Sequence, residues 1–490
     1  MPDVTYHRPE LTAALSRWRL VRDVCKGSEK IKAGSFHYLP KPNPHDKSEA
    51  NEERFKSYLA RAVFYNATGR TKNGLVGAVF TTWPTLKVPA LLDYVNEDID
   101  GSGVSIYQQS QSVIGHLLET GRHGLLVDYP AIEGNASLAD LRAGRVRATV
   151  TSYEAESIIN WRTRLVGGQH VLSLVVLKEQ YEEETDDGFG IETKDQYRVL
   201  RLDDAGNYIV ELYRENGGWT LAEDPRMPTD GSGKPWKEIP FTFLGSENND
   251  ASVDDAPLYD MAELNIAHYR NSADYEDSAY LVGQPMIWIA GLDEQWRDWI
   301  QESGLYIGAR TPFLIPKGGS AGIIQAQPNT LAKEAMDSKE RQMVALGARL
   351  IEQGSGSKTA TQEQNENAAE HSVLSLVVSN VSEAYTRVLQ WVAQFMNATG
   401  KPEYTLNQNF VRVQIDSNLL ANLIKGVQAG LIPQSDFWRQ LRDYQLIDPE
   451  KKDDAIRDEL QTTAPGLDLD DEDDNVGSTD RKDKADPEAQ

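Results

Sequence analysis

The sequence predicts an α+β protein with long helices, and three observations carry that prediction. From Ser357 to Thr399 there is neither glycine nor proline, and Leu374, Val378, Val381, Tyr385, Val388, Val392 and Phe395 recur at alternating four- and three-residue steps. That spacing is the seam of one long helix packed along its length. A second uninterrupted run, Leu258 to Val282, gives about 37 Å of helix at ~1.5 Å per residue. From Arg147 to Phe243 the texture changes to β-branched and aromatic runs separated by turn signals, which reads as an antiparallel sheet or small barrel.

Along the chain, residues 10–28 read as a helix, and the proline-rich connector from Pro40 to Pro44 forbids regular structure before a second helix near Glu52 to Tyr65. A further helix from Ile106 to Thr120 stops at Gly121, and Gly124 to Pro130 reads as a short buried strand. In the β region, Asp204-Ala205-Gly206-Asn207 and Asn216-Gly217-Gly218 supply hairpin turns. Ile239 to Leu244 is edge-like, because Pro240 cannot donate to a ladder. The 258–282 helix is rich in polar residues, Asn265, His268, Arg270, Asn271, Asp274 and Asp277 among them, so its narrow apolar stripe requires neighbours on both sides.

A small α/β knob follows, with Trp288, Trp296, Trp299 and a strand-like Phe313-Leu314-Ile315. Thr330 to Glu352 then returns as a helix with Met336, Met343, Leu346 and Leu350 on one face, and Gly354-Ser355-Gly356-Ser357-Lys358 breaks it from the seam helix. Val411 to Ile415 is strand-like, Ser417 opens a helix to Gly430, and two short helices follow. The acidic stretch 466–490 has almost no apolar residue and is expected to be disordered.

Composition narrows the function. Fifty basic against 75 acidic residues leave a formal charge of -25, which argues against a surface that grips nucleic acid through many phosphate contacts. The one cysteine, Cys25, shares an amphipathic helix with Leu11, Leu15 and Trp18, so burial is expected rather than reactivity. There is no secretory signal pattern and no apolar run near the roughly 20 residues of a membrane span, so a cytoplasmic site of synthesis is expected.

Nothing reads as a catalytic, cofactor or metal signature. The segment Gly354 to Thr359 lacks the glycine before lysine, and the preceding strand, of a phosphate-cradling loop. Gly231-Ser232-Gly233-Lys234 is followed by Pro235 where a magnesium-binding hydroxyl would stand, so a hairpin loop is expected. The eight histidines show no metal spacing; His116 and His123 read as packing or capping residues. Asp254-Asp255 reads as a solvated acidic face.

The order of elements, an α/β region, a long helix, a tryptophan-bearing knob, a returning helix, a Gly-Ser break, a longer helix and terminal small helices, resembles that of tailed-bacteriophage portal proteins. The strings from Arg61 to Thr71, Gly121 to Tyr129, Leu264 to Asp274 and Lys358 to Thr361 resemble a group of phage proteins formerly of unknown function and now identified as portals. The resemblance implies a wing of residues 1–256, a stem helix 257–283, a clip 284–328 and a returning stem helix 329–352. It also implies a tunnel loop 353–358, a long wing helix and strand 359–416, and a crown 417–465; the acidic tail falls outside it.

By the same resemblance the protein is a homo-oligomeric ring, usually of twelve, assembled in the host cytoplasm at one capsid vertex of the virion. The ring passes double-stranded DNA during packaging and ejection and contacts the major capsid protein, the terminase and a head-completion adaptor, without enzymatic activity of its own. Gly354, Ser355, Gly356, Ser357 and Lys358, with Arg349 and Arg341 on the returning helix, are then the channel candidates, or alternatively subunit-interface ion pairs. Trp288, Trp296 and Trp299 are candidate partner anchors, although packing of a small knob is expected to bury at least two of them. Two other readings compete: a different phage head protein, adaptor or minor capsid component, without the paired helices, and an acidic soluble enzyme with an Asp- and Glu-lined cleft.

Overall fold

A computed structural model describes residues 4–129, 146–185, 187–283, 286–291, 293–303, 317–324, 330–351 and 372–408, then 410, 423–427, 429, 431–443, 447 and 451–463. The chain divides into two units, Met1–Phe410 and Val411–Gln490. The first is a mixed α and β body whose sheets are all antiparallel.

Three of the first five helices start at a short polar side chain that caps them. α1 (Pro9–Lys26) opens on proline and ends at Gly27, with φ 90°, and α2 (Ser28–Ala33) follows at once. In α3 (Glu49–Arg61) the Ser48 side chain accepts from Asn51 N, and in α4 (Ala67–Val79) the Asn66 side chain accepts from Gly69 N. α5 (Ile106–Thr120) carries a reciprocal capping box between Ser105 and Gln108 and stops at Gly121 in the left-handed region. A Cβ at Gly121 would lie 2.5 Å from the Asp255 carbonyl oxygen, so only glycine fits.

Between α4 and α5, β1 (Thr85–Lys87) is a short edge piece. After α5, β2 (Arg122–Asp128) runs between β3 (Thr149–Glu154) and β9 (Phe241–Gly245). β9 is the edge that Pro240 demands, and the Pro240 carbonyl still accepts from Val127 N at 2.9 Å. A five-stranded meander lies between β3 and β9 in sequence: β4 (Ile158–Val166), β5 (Gln169–Glu184), β6 (Ile191–Leu202), β7 (Tyr208–Glu215) and β8 (Trp219–Leu221). Both expected hairpin turns are present, closed by Asp203 N to Asn207 O and Asn216 N to Gly218 O, each 2.9 Å. Of the two sequence readings, sheet or small barrel, it is an open sheet, with β4 and β8 at its edges.

Beyond the sheets come α6 (Tyr259–Val282), β10 (Met286–Ala290), α7 (Glu294–Ser303), β11 (Ser320–Ile324) and α8 (Thr330–Arg349). The seam helix is α9 (Val373–Phe395). All seven seam residues are buried. Its length corrects the sequence reading: α9 begins at Val373, not near Ser357, and its 23 residues span about 35 Å. Ser372 is the reason for the start, since its backbone is extended and its side chain accepts from Ser375 N. The apolar repeat also begins only at Leu374.

α9 is sheathed on several sides and its polar groups are spent on its neighbours. Asn380 Nδ2 donates to Gly245 O (2.9 Å), Tyr385 Oη to Gln109 Oε1 (3.0 Å) and Trp391 Nε1 to Glu238 Oε1 (3.0 Å). β12 (Glu403–Thr405) then returns to pair with β1. In the second unit, α10 (Gln434–Asp443) and α11 (Asp453–Thr463) carry the buried Trp438 and Ile456, and Arg442 pairs with Asp453 at 2.6 Å. The strands expected at Phe313–Ile315 and Val411–Ile415, the Ser417 cap and the acidic tail lie outside the described residues.

Candidate functional site

α6 and α8 lie side by side and antiparallel. As one helix is climbed the other is descended: a Cβ at Gly347 would sit 3.4 Å from Met261 Cε, His268 Nε2 lies 3.1 Å from Glu340 Oε1, and Lys339 Nζ donates to Asn271 Oδ1 at 2.8 Å. Farther out, Leu331 and Ala332 share a groove of about 660 Å³ with Asp274, Asp277 and Leu281.

 The base of α6 is tied into the body by the polar residues that its sequence made conspicuous. Asn265, fully buried, accepts from Thr68 N (3.1 Å) and Oγ1 (3.0 Å) and donates to Tyr65 O (2.8 Å). Tyr58 Oη donates to Asp274 at 2.6 Å, Arg61 pairs with Asp277 at 2.5 Å, and Arg270 Nε donates to Tyr38 O at 2.9 Å. A helix with so little apolar surface is held by satisfied hydrogen bonds from α3, α4 and α8, each worth about 0.5–1.5 kcal/mol net.

Arg341 and Arg349 both occupy exposed positions on α8, and neither has an ion-pair partner among the described residues. Directly after α8, Leu374 N donates to Leu350 O at 3.1 Å. The end of α8 and the start of α9 therefore lie together. Gly354, Ser355, Gly356, Ser357 and Lys358 belong to the segment between them and lie outside the described residues.

After α6, β10 and β11 form a two-stranded antiparallel sheet, with α7 between them in sequence, that pairs Met286 with Ile324 through Ala290 with Ser320. Trp288 stands opposite Gly322, and a Cβ at Gly322 would come within 2.8 Å of the indole Nε1, so the glycine leaves room for the ring. The expectation that at least two of the three tryptophans are buried is overturned: Trp288 is 40% and Trp299 50% exposed, and Trp296 is half-buried, edge-on to Trp299 at 5.4 Å. Among the described residues this two-stranded sheet has no second layer over it, and Ile323 and Ile324 of β11 are exposed as well.

A cavity of about 830 Å³ lies where α1, α4 and α5 meet, lined by Arg22, Cys25, Lys72, His116, Glu119 and Glu154 among others. Its carboxylates are matched by cations: Arg22 reaches Glu156 at 2.7 Å, Glu154 at 3.2 Å and Glu119 at 3.6 Å, and Lys72 reaches Glu119 at 2.7 Å. Burial, reinforced by Glu119, pushes the Cys25 thiol up to about 12, the opposite of what a nucleophile needs. His116 stacks on the buried His123 at 5.3 Å and 12°. Burial is the main cause that lowers the pKa of both rings, well below the ordinary value for His123.

The remaining sequence candidates have structural explanations. Asp230 Oδ1 accepts from the Ser232 and Lys234 backbone N–H groups, both at 2.9 Å, which makes Gly231 to Lys234 a closed loop. Asp254 is buried and accepts from Glu247 N at 2.8 Å, so it staples a loop instead of facing solvent as expected, whereas Asp255 is exposed and pairs with Arg17. Among the described residues no group of three or more His, Cys, Asp or Glu could hold a metal ion, and no helix is long and apolar enough to cross a membrane. Sequence reasoning missed Phe189, at the tip of the β5–β6 hairpin and 95% exposed; its signal was a phenylalanine between two glycines in an acidic stretch.

A family model described as a domain of unknown function, DUF4055, matches residues 257–396, which take in α6, the β10–β11 sheet, α7, α8 and α9. No curated protein matches the chain. Among solved structures, the chain is similar to one in "Virion of native gene transfer agent (GTA) particle", at 14% identity and a TM-score of 0.39, covering 84% of this chain and 98% of that one. It is similar to one in "Neck of empty GTA particle computed with C6 symmetry", at 15% identity and a TM-score of 0.38, covering 75% and 90%. A third likeness, to a chain in "Neck of native GTA particle computed with C12 symmetry", has 14% identity and a TM-score of 0.39, covering 76% and 89%.

Proposed function

We propose that this protein is a phage portal, one subunit of a ring that stands at a capsid vertex and conducts double-stranded DNA. The observation that carries the reading is the antiparallel pair α6–α8, with the tryptophan-bearing β10–β11 sheet between them in sequence. Repeated around an axis, such pairs make a wall. The resemblance of the sequence strings to portals supplies the identity of the wall, and twelve copies its usual count.

The charge suits a conduit. A ring of chains each carrying -25 repels a duplex over most of its surface, so DNA slides instead of sticking. Arg341 and Arg349, exposed on α8, are the weak guides along the wall, and Lys358 in the following segment is the further candidate. Trp288 and Trp299, with Ile323 and Ile324, offer an apolar docking surface for the terminase and then the head-completion adaptor, since exposed aromatic anchors dominate interface energetics.

Electron microscopy of the purified full chain tests the reading. Rings with a central hole wide enough for a duplex are the expected result. Monodisperse monomers across protein concentration and ionic strength would sink it.

A further inference from the structure

The strand pair β5–β6 outruns the sheet to which it belongs. β4 accompanies β5 only along Gln169–Leu177, and β7 accompanies β6 only from Gln196 onward, yet the β5–β6 ladder continues to Glu184 opposite Ile191. Residues 180–184 and 191–195 are accompanied by neither neighbour and make a two-stranded arm about 16 Å long at ~3.3 Å per residue. At its tip, among the described residues, Thr185 N donates to Gly190 O (2.9 Å), Gly188 N to Thr185 O (2.8 Å), Phe189 N to Asp187 Oδ1 (3.1 Å) and Gly190 N to Thr185 Oγ1 (2.9 Å). These bonds hold Phe189 out in solvent, with Ile191 exposed next to it.

At the other end of the same sheet is a groove of about 540 Å³. The pairs Arg162 with Leu174, Leu174 with Arg201 and Val176 with Val199 put these side chains on one face. Leu174, Val176 and Val199 form an apolar floor, and Arg162, Arg164 and Arg201 stand around it. Arg201 is paired with Glu211, but Arg162 and Arg164 are exposed and have no carboxylate partner among the described residues.

We infer that the Phe189 arm docks into this groove on a second copy of the chain. Charge selects the partner: residues 180–195 hold seven carboxylates against the single Lys194, and the groove offers two uncommitted arginines in a strongly acidic protein. Geometry forbids self-docking, because Leu174 and Glu184 are separated by ten residues of paired strand, roughly 33 Å, and the ladder cannot fold back on itself. Arm and groove are different surfaces, so the contact is head-to-tail, the kind that closes into a ring when the rotation allows. The inference rests on the ring reading for the presence of a second copy and on the sheet for the contact itself.

The test uses the full chain, with Phe189→Ser and the double variant Arg162→Glu/Arg164→Glu, and follows assembly by mass photometry across concentration. All three positions are exposed, and unchanged circular dichroism and thermal melts serve as the check on folding. Each variant is expected to raise the concentration needed for rings by about tenfold or more, the loss typical of an interface anchor. Glu182→Lys/Glu183→Lys/Glu184→Lys combined with the arginine reversals should recover assembly, and mixing Phe189→Cys with Arg164→Cys chains should give a disulfide between them. Rings forming at the wild-type concentration in both the Phe189 and the arginine variants would overturn the contact and leave the ring reading standing. A wild-type chain that stays monomeric would overturn both.

Discussion

His123 is neutral because of where β2 places it. The ring is buried against His116, neither ring nitrogen has a hydrogen-bond partner among the described residues, and burial, with positive His116 and Arg22 nearby, holds its pKa well below the ordinary value. Below about pH 6.5 the unfolded chain takes up a proton that the native ring refuses. The stability contributed by the neutral ring is complete above that pH and falls as pH drops, by up to about 1.4 kcal/mol per pH unit. His123→Phe keeps the stacked apolar shape and removes the titration. Its urea midpoint is expected to fall less than that of the wild type between pH 7.5 and 5.5, and equal falls would show that His123 is not the source. His116, also lowered by burial, keeps its own smaller share in both proteins. The role of His123 in packing was legible in the sequence, but the stacked partner was not, because His116 and His123 meet only through the α5–β2 turn at Gly121.

At the scale of elements, the paired helices are the part most exposed to trial. Arg341 and Arg349 make no ion pair among the described residues, so reversing them removes no internal contact of the subunit. Arg341→Glu/Arg349→Glu should therefore leave the thermal melt and ring formation unchanged while lowering DNA packaged per particle, measured by nuclease-protected genome. Normal packaging would take these arginines out of the conduit, and loss of rings would place them at a subunit interface instead. The extent of α6 was readable from a glycine- and proline-free run, and that of α8 from the face carrying Met336, Met343, Leu346 and Leu350. Their mutual packing was readable only as a demand: Asn265, Asn271 and Asp274 announced that α6 needs partners without naming Thr68, Lys339 and Tyr58. The seam helix was overextended because the absence of breakers permits a helix but does not supply the burial that stabilises one.

For the whole molecule, charge sets the expectation. A net charge of -25 disfavours a grip on DNA by the free subunit, and gel shift at about 0.15 M salt should show no binding to duplex at micromolar protein. A clear shift by the subunit alone would contradict the sliding-conduit reading. The sequence by itself determined the α+β class, the acidic field, the seam of α9 and the two turn-delimited hairpins, because these follow from composition and from periodicities of 3.5 to 3.6 and 2 that act over neighbouring residues. Only the tertiary structure decided which residues of α6 and α8 meet, that the carboxylates of the α1–α5 cavity are matched by cations, that Trp288 and Trp299 face solvent and that the Phe189 arm projects beyond its sheet. Those outcomes depend on which distant segments cover which faces, and burial is a property of contacts across the chain rather than of any local pattern.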